Sequence, residues 1–341
     1  MDFTFKSSWC LQVSLKRYSV RGLMALSLIL LSSSVFAANR VEAHEWLERM
    51  TSAMTMMSYQ GTFVYSHGSS LETMRITHIV GDDGVHERLY SVNGTQREVI
   101  RDKQGVRCVL GGDKSIMLDR VISGAIFPVI PNNILASENS QYTFKTGGIS
   151  RVAGQLAQKI SITPVDEFRY GYEFYLDQFS GLLLKWVLYD SQRQPIAKLM
   201  FTDLNLGDEI QHDELLSTTP LEEFTRLEPN MPDEQLVSSA SPEWVPSSLP
   251  PGFELTINSV QEKEGKNVFE HQVYSDGLAS VSVYIENLDQ DEKAAHGVSK
   301  LGTANAFSRN IGTKHVTVIG EVPTVTVLSI ANAVIAPSAG Q

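Results

Sequence analysis

A chain of 341 residues with 39 acidic against 28 basic side chains carries a formal charge of −11. That balance, with no Lys/Arg run, disfavours nucleic acid and anionic lipid surfaces as partners, since both need a clustered basic patch and only a local one could reverse the field. Two cysteines, Cys10 and Cys108, exclude a disulfide scaffold.

The first 37 residues read as a secretory leader. Lys6, Lys16, Arg17 and Arg21 precede an apolar run from Leu23 to Val35, and Val35-Phe36-Ala37 has the small-x-small pattern of a cleavage site. The run is short of the ~20 residues a spanning helix needs. Cys10 leaves with the leader and lies before the apolar run, so no lipid anchor is expected. Removing four positive charges and one negative leaves an exported chain near −14, of about 300 residues, a size that fits two domains.

Val41 to Met57 predicts an amphipathic helix, with Trp46, Met50, Met54 and Met57 along one face. A meander of short strands follows, with turns at His67-Gly68-Ser69, Gly81 to Gly84, Asn93-Gly94, Lys103 to Gly105 and Gly111 to Asp113. A second meander is expected after a turn at Gly147-Gly148, over Val152–Thr163, Tyr170–Asp177, Leu182–Asp190 and Ile196–Leu206. Strict alternation puts Tyr172, Phe174 and Leu176 on one face and aligns Leu182, Leu184, Trp186 and Leu188 with them. One helix is little cover for such a face. Between the meanders, Ser115 to Phe144 is apolar and interrupted by Pro128 and Pro131, which forbid a long helix or a central strand. Two readings stay open for it, ordinary core cover or a movable lid over a lipid-sized pocket.

From Gly207 the chain turns acidic and Pro-containing and reads as a linker, with a short helical turn near Asp213–Leu216. A second module begins near Trp244. Its expected strands are Phe253–Val260, Val268–Tyr274, Val281–Glu286 and Thr313–Ile319, with a short helix over Val325–Val334. Asp276-Gly277 between two strand-like runs is a strong hairpin signal. The fold class expected is α+β, mostly antiparallel, divided as 1–37 leader, 38–206 first domain, 207–241 linker and 242–341 small domain.

Chemistry is hard to place on this chain. The eight histidines are scattered without the spacing of a metal site, and no phosphate loop, nucleophile elbow or CxxC occurs. Cys108 reads as a structural strand residue. No enzyme is expected, and no cofactor or metal.

Several stretches, in order, carry a resemblance. They are Trp46-Leu47, Tyr59 to Tyr65, Glu87-Arg88-Leu89, Arg97-Glu98-Val99, the Trp244 to Phe253 run, Tyr274-Ser-Asp-Gly-Leu278 and Val318 to Pro323. Together they resemble the RseB/MucB family, periplasmic negative regulators of sigma-E-type envelope-stress sigma factors. The resemblance implies a first domain like the lipoprotein carriers LolA and LolB, an unclosed β-barrel with helices over its mouth, and a smaller β-rich second domain. It implies binding to the periplasmic segment of a membrane anti-sigma factor, shielding of that segment from proteolysis, and release on sensing acyl lipid or lipopolysaccharide. Self-association also fits the family.

On that reading the candidate lipid-lining residues are Phe63, Met74, Ile76, Leu89, Tyr172, Phe174, Leu184 and Trp186, covered by Phe127, Val129 and Ile130. The candidate partner-binding residues are Trp244, Phe253, Tyr274, Asp276 and Leu278. Two alternatives remain for these five: Trp244 and Phe253 pin the linker, and the hairpin merely closes a small sheet. The competing function is a LolA-type periplasmic lipid or lipoprotein carrier, against which the second domain argues.

Overall fold

The computed structural model describes residues 42–103, 105–110, 115–119, 130, 141–207, 210–217, 225–227, 242, 244–263, 267–288 and 296–335. The expected leader lies outside the described residues, as do Phe127 and Val129 of the expected lid. A helix, α1, spans 42–56.

Twelve strands form the first sheet. In chain order they are β1 (Tyr59–His67), β2 (Ser70–Gly81), β3 (Gly84–Ser91), β4 (Arg97–Asp102), β5 (Gly105–Leu110), β6 (Ser115–Asp119), β7 (Tyr142–Val152), β8 (Gln155–Pro164), β9 (Gly171–Asp177), β10 (Leu183–Tyr189), β11 (Pro195–Leu206) and β12 (Thr225–Leu227). Their spatial order is β12-β6-β5-β4-β3-β2-β1-β11-β10-β9-β8-β7, so β12 and β7 are its edges and the sheet stays open. Every neighbouring pair is antiparallel except β12 on β6.

The two meanders are fused by a single ladder, β1 on β11, whose register shifts between Thr62 and Phe63. Gly61 sits at that crossing. A Cβ there would lie 2.6 Å from the Asp203 carbonyl oxygen and 2.9 Å from the Phe201 ring, closer than any side chain can pack.

Period-2 alternation sends Phe63, Ile76, Leu89, Ile160, Ile162, Phe174 and Phe201 to one face. The helix α1 lies on that face through Ala43, Leu47, Met50, Ala53 and Met54, all buried. Leu47, Met50 and Met54 follow the 3.6-residue period, which is why one helix serves as cover. Trp46 and Met57, expected along the same face, pack on its margin.

Three features differ from the sequence reading. Gly147-Gly148 is not a turn: β7 runs straight through it with a register shift between Thr146 and Ile149, and the reversal comes at Ala153-Gly154, both at positive φ. Two glycines without a Cβ absorb a bulge as readily as a turn. In β10 the register shifts between Leu183 and Lys185. Leu183 therefore joins the covered face and Leu184 turns to the other, beside Val152 and Ala157. Leu184 is thus removed from the expected apolar lining, because the register shift breaks the alternation at that point of the strand.

The third difference lies in the expected linker, whose first part is pinned. A 3-10 turn, His212–Leu215, follows β11, and the Glu214 carbonyl accepts a 3.2 Å bond from Arg88. The Ser217 hydroxyl donates to Glu98 at 2.5 Å, and Arg88 and Glu98 pair at 2.6 Å beneath it.

The second sheet has six strands: β14 (Glu254–Lys263), β15 (Asn267–Ser275), β16 (Ser280–Asn287), β17 (Gly297–Leu301), β18 (Ala304–Ile311) and β19 (Lys314–Gly320), in the order β14-β15-β16-β19-β18-β17. Before it, β13 (Val245–Pro246) pairs with β20 (Val334–Ile335) at the chain's far end. The closing helix α2, Thr324–Ala333, starts after Pro323 and buries Val327, Ile330 and Ala331 against the sheet. Burial on one face offsets the helix reluctance of its β-branched residues.

Candidate functional site: the joint between the two sheets

The Asp276-Gly277 hairpin has a four-residue loop, not a two-residue turn, because β15 ends at Ser275 and β16 resumes at Ser280. The Asp276 carboxylate closes the loop itself: Oδ1 accepts the backbone amides of Leu278 at 2.9 Å and Ala279 at 2.7 Å. Gly277 takes φ 95°, a conformation open to glycine at no steric cost. This leaves Oδ2 aimed away from the hairpin, at the first sheet.

There it meets Arg169. The chain between β8 and β9 turns on Asp166, whose Oδ1 accepts the Phe168 amide and the Arg169 Nε, each at 3.0 Å. Arg169 is fully buried, an uncommon fate for arginine that requires paired charge. Its guanidinium donates to Asp276 Oδ2 at 2.7 Å and to the Pro251 carbonyl at 2.5 Å. The Tyr142 hydroxyl donates to the same carboxylate oxygen at 2.8 Å. Above and below, the Arg169 cation lies 5.5 Å from the Tyr142 ring and 5.1 Å from the Phe253 ring. Burial, then the Asp276 charge, pushes the Tyr142 hydroxyl pKa well up, so the phenol stays a donor.

Around this centre the two sheets are stitched by three further contacts. Thr326 of α2 donates to the Phe168 carbonyl at 2.6 Å. The Asn305 amide donates to the Tyr170 hydroxyl at 3.0 Å and to the Val322 carbonyl at 2.7 Å. Leu278 packs against the core of the first sheet, although it belongs to the hairpin of the second. Gly252, at φ 81°, passes so close to Gln141 that a Cβ would meet its Cγ at 2.7 Å.

At the joint's far margin stands Glu321, two residues before the Pro323 that starts α2. Burial raises its carboxyl pKa above the ordinary value, a shift that a Thr303 hydrogen bond and the His67 imidazole oppose without cancelling. The hydroxyls of Tyr65, Tyr170 and Tyr172 are raised by burial first and by this carboxylate as well. A raised folded-state pKa means that the folded protein holds the proton more tightly than the unfolded chain does. Stability from this group is therefore fully present below the ordinary carboxylate pKa, 4.5, and is lost as pH rises through the raised value. Glu321→Gln should melt higher than the natural chain at about pH 7.5 and match it near about pH 4 in thermal scans. A loss at about pH 7.5 that disappears near about pH 4 would show instead that the carboxylate is needed as a charge.

The candidate residues fall into two groups. Of the apolar set, Phe63, Ile76, Leu89, Phe174 and Ile130 are buried in one cluster beneath α1, and Met74, Tyr172 and Trp186 pack on its edge. Of the partner set, Trp244, Phe253 and Tyr274 are buried in the core of the second sheet, and Asp276 and Leu278 form the joint. Tyr274, expected as an exposed anchor, is 2 % exposed and donates its hydroxyl to Gln272 at 2.7 Å. Its side chain alternates inward with Val281 and Val283 across β16, so it stiffens the hairpin from within. The residue that sequence reasoning missed is Arg169. Its one signal was a charged side chain in the aromatic run Phe168-Arg169-Tyr170.

Comparison with known proteins bears on this arrangement. The family model for the MucB/RseB N-terminal domain matches residues 42–219, and the model for the MucB/RseB C-terminal domain matches 238–335. The chain belongs to the MucB/RseB family. It is 33% identical to the "Sigma factor AlgU regulatory protein MucB" of Pseudomonas aeruginosa over 92% of this chain and 98% of that one. It is 29% identical to the "Sigma-E factor regulatory protein RseB" of Haemophilus influenzae over 88% and 93%. Among solved structures, MucB in complex with MucA(peri) superposes with a TM-score of 0.69 at 31% identity, covering 87% of this chain and all of that one. A second crystal structure of MucB gives 0.61 at 32% identity, covering 86% of this chain and 98% of that one. The likeness of this MucB/RseB chain to proteins named as sigma-factor regulators thus spans both of its sheets.

Proposed function

We propose that the protein is a periplasmic regulatory binding protein that holds the periplasmic segment of a membrane anti-sigma factor. Holding that segment shields it from regulated proteolysis and so represses the envelope-stress sigma factor; acyl lipid or lipopolysaccharide releases it. The observation that carries this reading is the whole-chain likeness to MucB in the form that grips MucA(peri), spanning both sheets. The geometry supports it. A shield needs a wide surface held rigid and no reacting group, and the Arg169–Asp276 joint holds two sheets in one mutual arrangement. Lipid sensing would use the face that α1 covers, and Asp276 and Leu278 would act on the partner by setting the angle between the sheets.

The test is calorimetry of residues 38–341 against the periplasmic segment of the same organism's anti-sigma factor, with and without lipopolysaccharide. Saturable binding that lipopolysaccharide weakens is expected. No binding to the segment, with lipopolysaccharide bound alone, would leave a carrier in its place.

A further inference from the structure

A cleft of about 690 Å³ opens where the β1–β2 turn and the start of β11 face the β17–β18 turn. It is polar, and its two walls come from different sheets: Ser66, His67 and Lys198 on one side, Lys300 and Thr303 on the other. We propose that this cleft is a phosphate-binding site that bridges the two sheets.

Charge is the first support. In a chain with 39 acidic against 28 basic residues, several cations are matched by carboxylates, as Lys159 and Arg193 are by Glu173. Lys198 and Lys300 have no ion-pair partner among the described residues, yet both line one cleft. Two carboxylates stand near, both beside His67. Glu72 lies 3.8 Å from His67 and is shared with Arg97 at 3.4 Å. Glu321 is half-buried and bonded to Thr303, and burial raises its carboxyl pKa. On the neighbouring strand the Lys185 ammonium is held below its ordinary pKa, by burial first and by Lys198 next, against an opposing pull from Glu173.

Shape is the second support. Gly68 and Gly302, at φ 54° and 61°, line the cleft from opposite sheets. Around Gly68 a Cβ would meet nothing within 4 Å, and at Gly302 it would only graze His67 at 3.7 Å, so backbone on both sides is open to close approach. Serine and threonine hydroxyls supply the further donors that phosphate oxygens accept. The volume exceeds what one phosphate fills and falls in the range of small-molecule sites. The occupant is therefore a phosphate carried on a larger polar body, either a soluble phosphorylated molecule or a lipid headgroup. Because Lys198 and Lys300 sit on different sheets, a dianion between them favours the assembled arrangement over any in which the sheets part. The inference does not rest on the regulatory reading, since it can be tested without any anti-sigma segment.

The test titrates residues 38–341 with inorganic pyrophosphate by calorimetry. It then measures flotation with vesicles of phosphatidylglycerol in phosphatidylcholine against phosphatidylcholine alone. Wild type should bind pyrophosphate saturably, and Lys198→Gln/Lys300→Gln should weaken it at least about tenfold. Lys198→Arg/Lys300→Arg should retain it. Pyrophosphate binding without flotation identifies a soluble source, and flotation lost in the Gln pair identifies a headgroup. No binding of either probe, or binding unchanged in the Gln pair, overturns the proposal. Both lysines are exposed, so neither substitution threatens the fold.

Discussion

Arg169→Met should destabilise the protein by about 3–5 kcal/mol, because it strands the Asp276 carboxylate, 1 % exposed, opposite an apolar side chain. Denaturant unfolding followed by tryptophan fluorescence would read it, and a single transition should split as the two sheets lose their common clamp. Asp276→Asn should cost a comparable amount, since its amide keeps the loop contacts of Oδ1 and leaves the guanidinium underpaired. The double variant decides the matter. With both charges gone the desolvation penalty goes too, so Arg169→Met/Asp276→Asn should cost clearly less than the two single changes together. Strict additivity would mean that the pair is a bystander and that other contacts hold the sheets.

Phe174→Ala should cost about 3–5 kcal/mol, the range for an aromatic ring removed from a filled core. Phe174 is fully buried, faces Ile160 on β8 and Trp186 on β10, and has Tyr172 stacked at 5.7 Å. A urea titration would show the midpoint fall with an unchanged slope. A loss under about 1 kcal/mol would mean that α1 does not seal this face. The face would then be an open apolar trough, as a standing lipid pocket requires.

Much of this fold could be read from residue order alone. Turn chemistry about every ten residues marked the strands β1 to β5, and alternation in Tyr172-Glu173-Phe174-Tyr175-Leu176 assigned the buried face correctly. What escaped did so for physical reasons. Glycine pairs do not declare whether they turn or bulge, so β7 was hidden behind Gly147-Gly148. A bulge leaves no mark in composition, so Leu184 was placed on the wrong face. Strand β17 lacks an apolar stripe, since Val298 and Leu301 are exposed, and β18 offers the core only Phe307 and Ile311, on the face they share with Asn305 and Arg309.

The joint was half legible. Asp276-Gly277 announced a hairpin, and the Asp276 carboxylate closes its loop, but its target was invisible. Arg169 lies more than a hundred positions away, in a stretch with Asp166 and Glu167 that reads as solvated loop. Only the docking of two sheets makes it the most deeply buried cation among the described residues. No local pattern encodes an ion pair between domains. Its cause is tertiary, and so is its effect on any surface that spans both sheets.

That effect can be measured by titrating the anti-sigma periplasmic segment into wild type and into Arg169→Met/Asp276→Asn under conditions where both are folded. If the joint sets the binding surface, the double variant should bind with the same stoichiometry and at least about tenfold lower affinity, the size expected when the competent arrangement becomes a minor population. Equal affinity in the two proteins would contradict the joint's role and place the partner on one sheet alone.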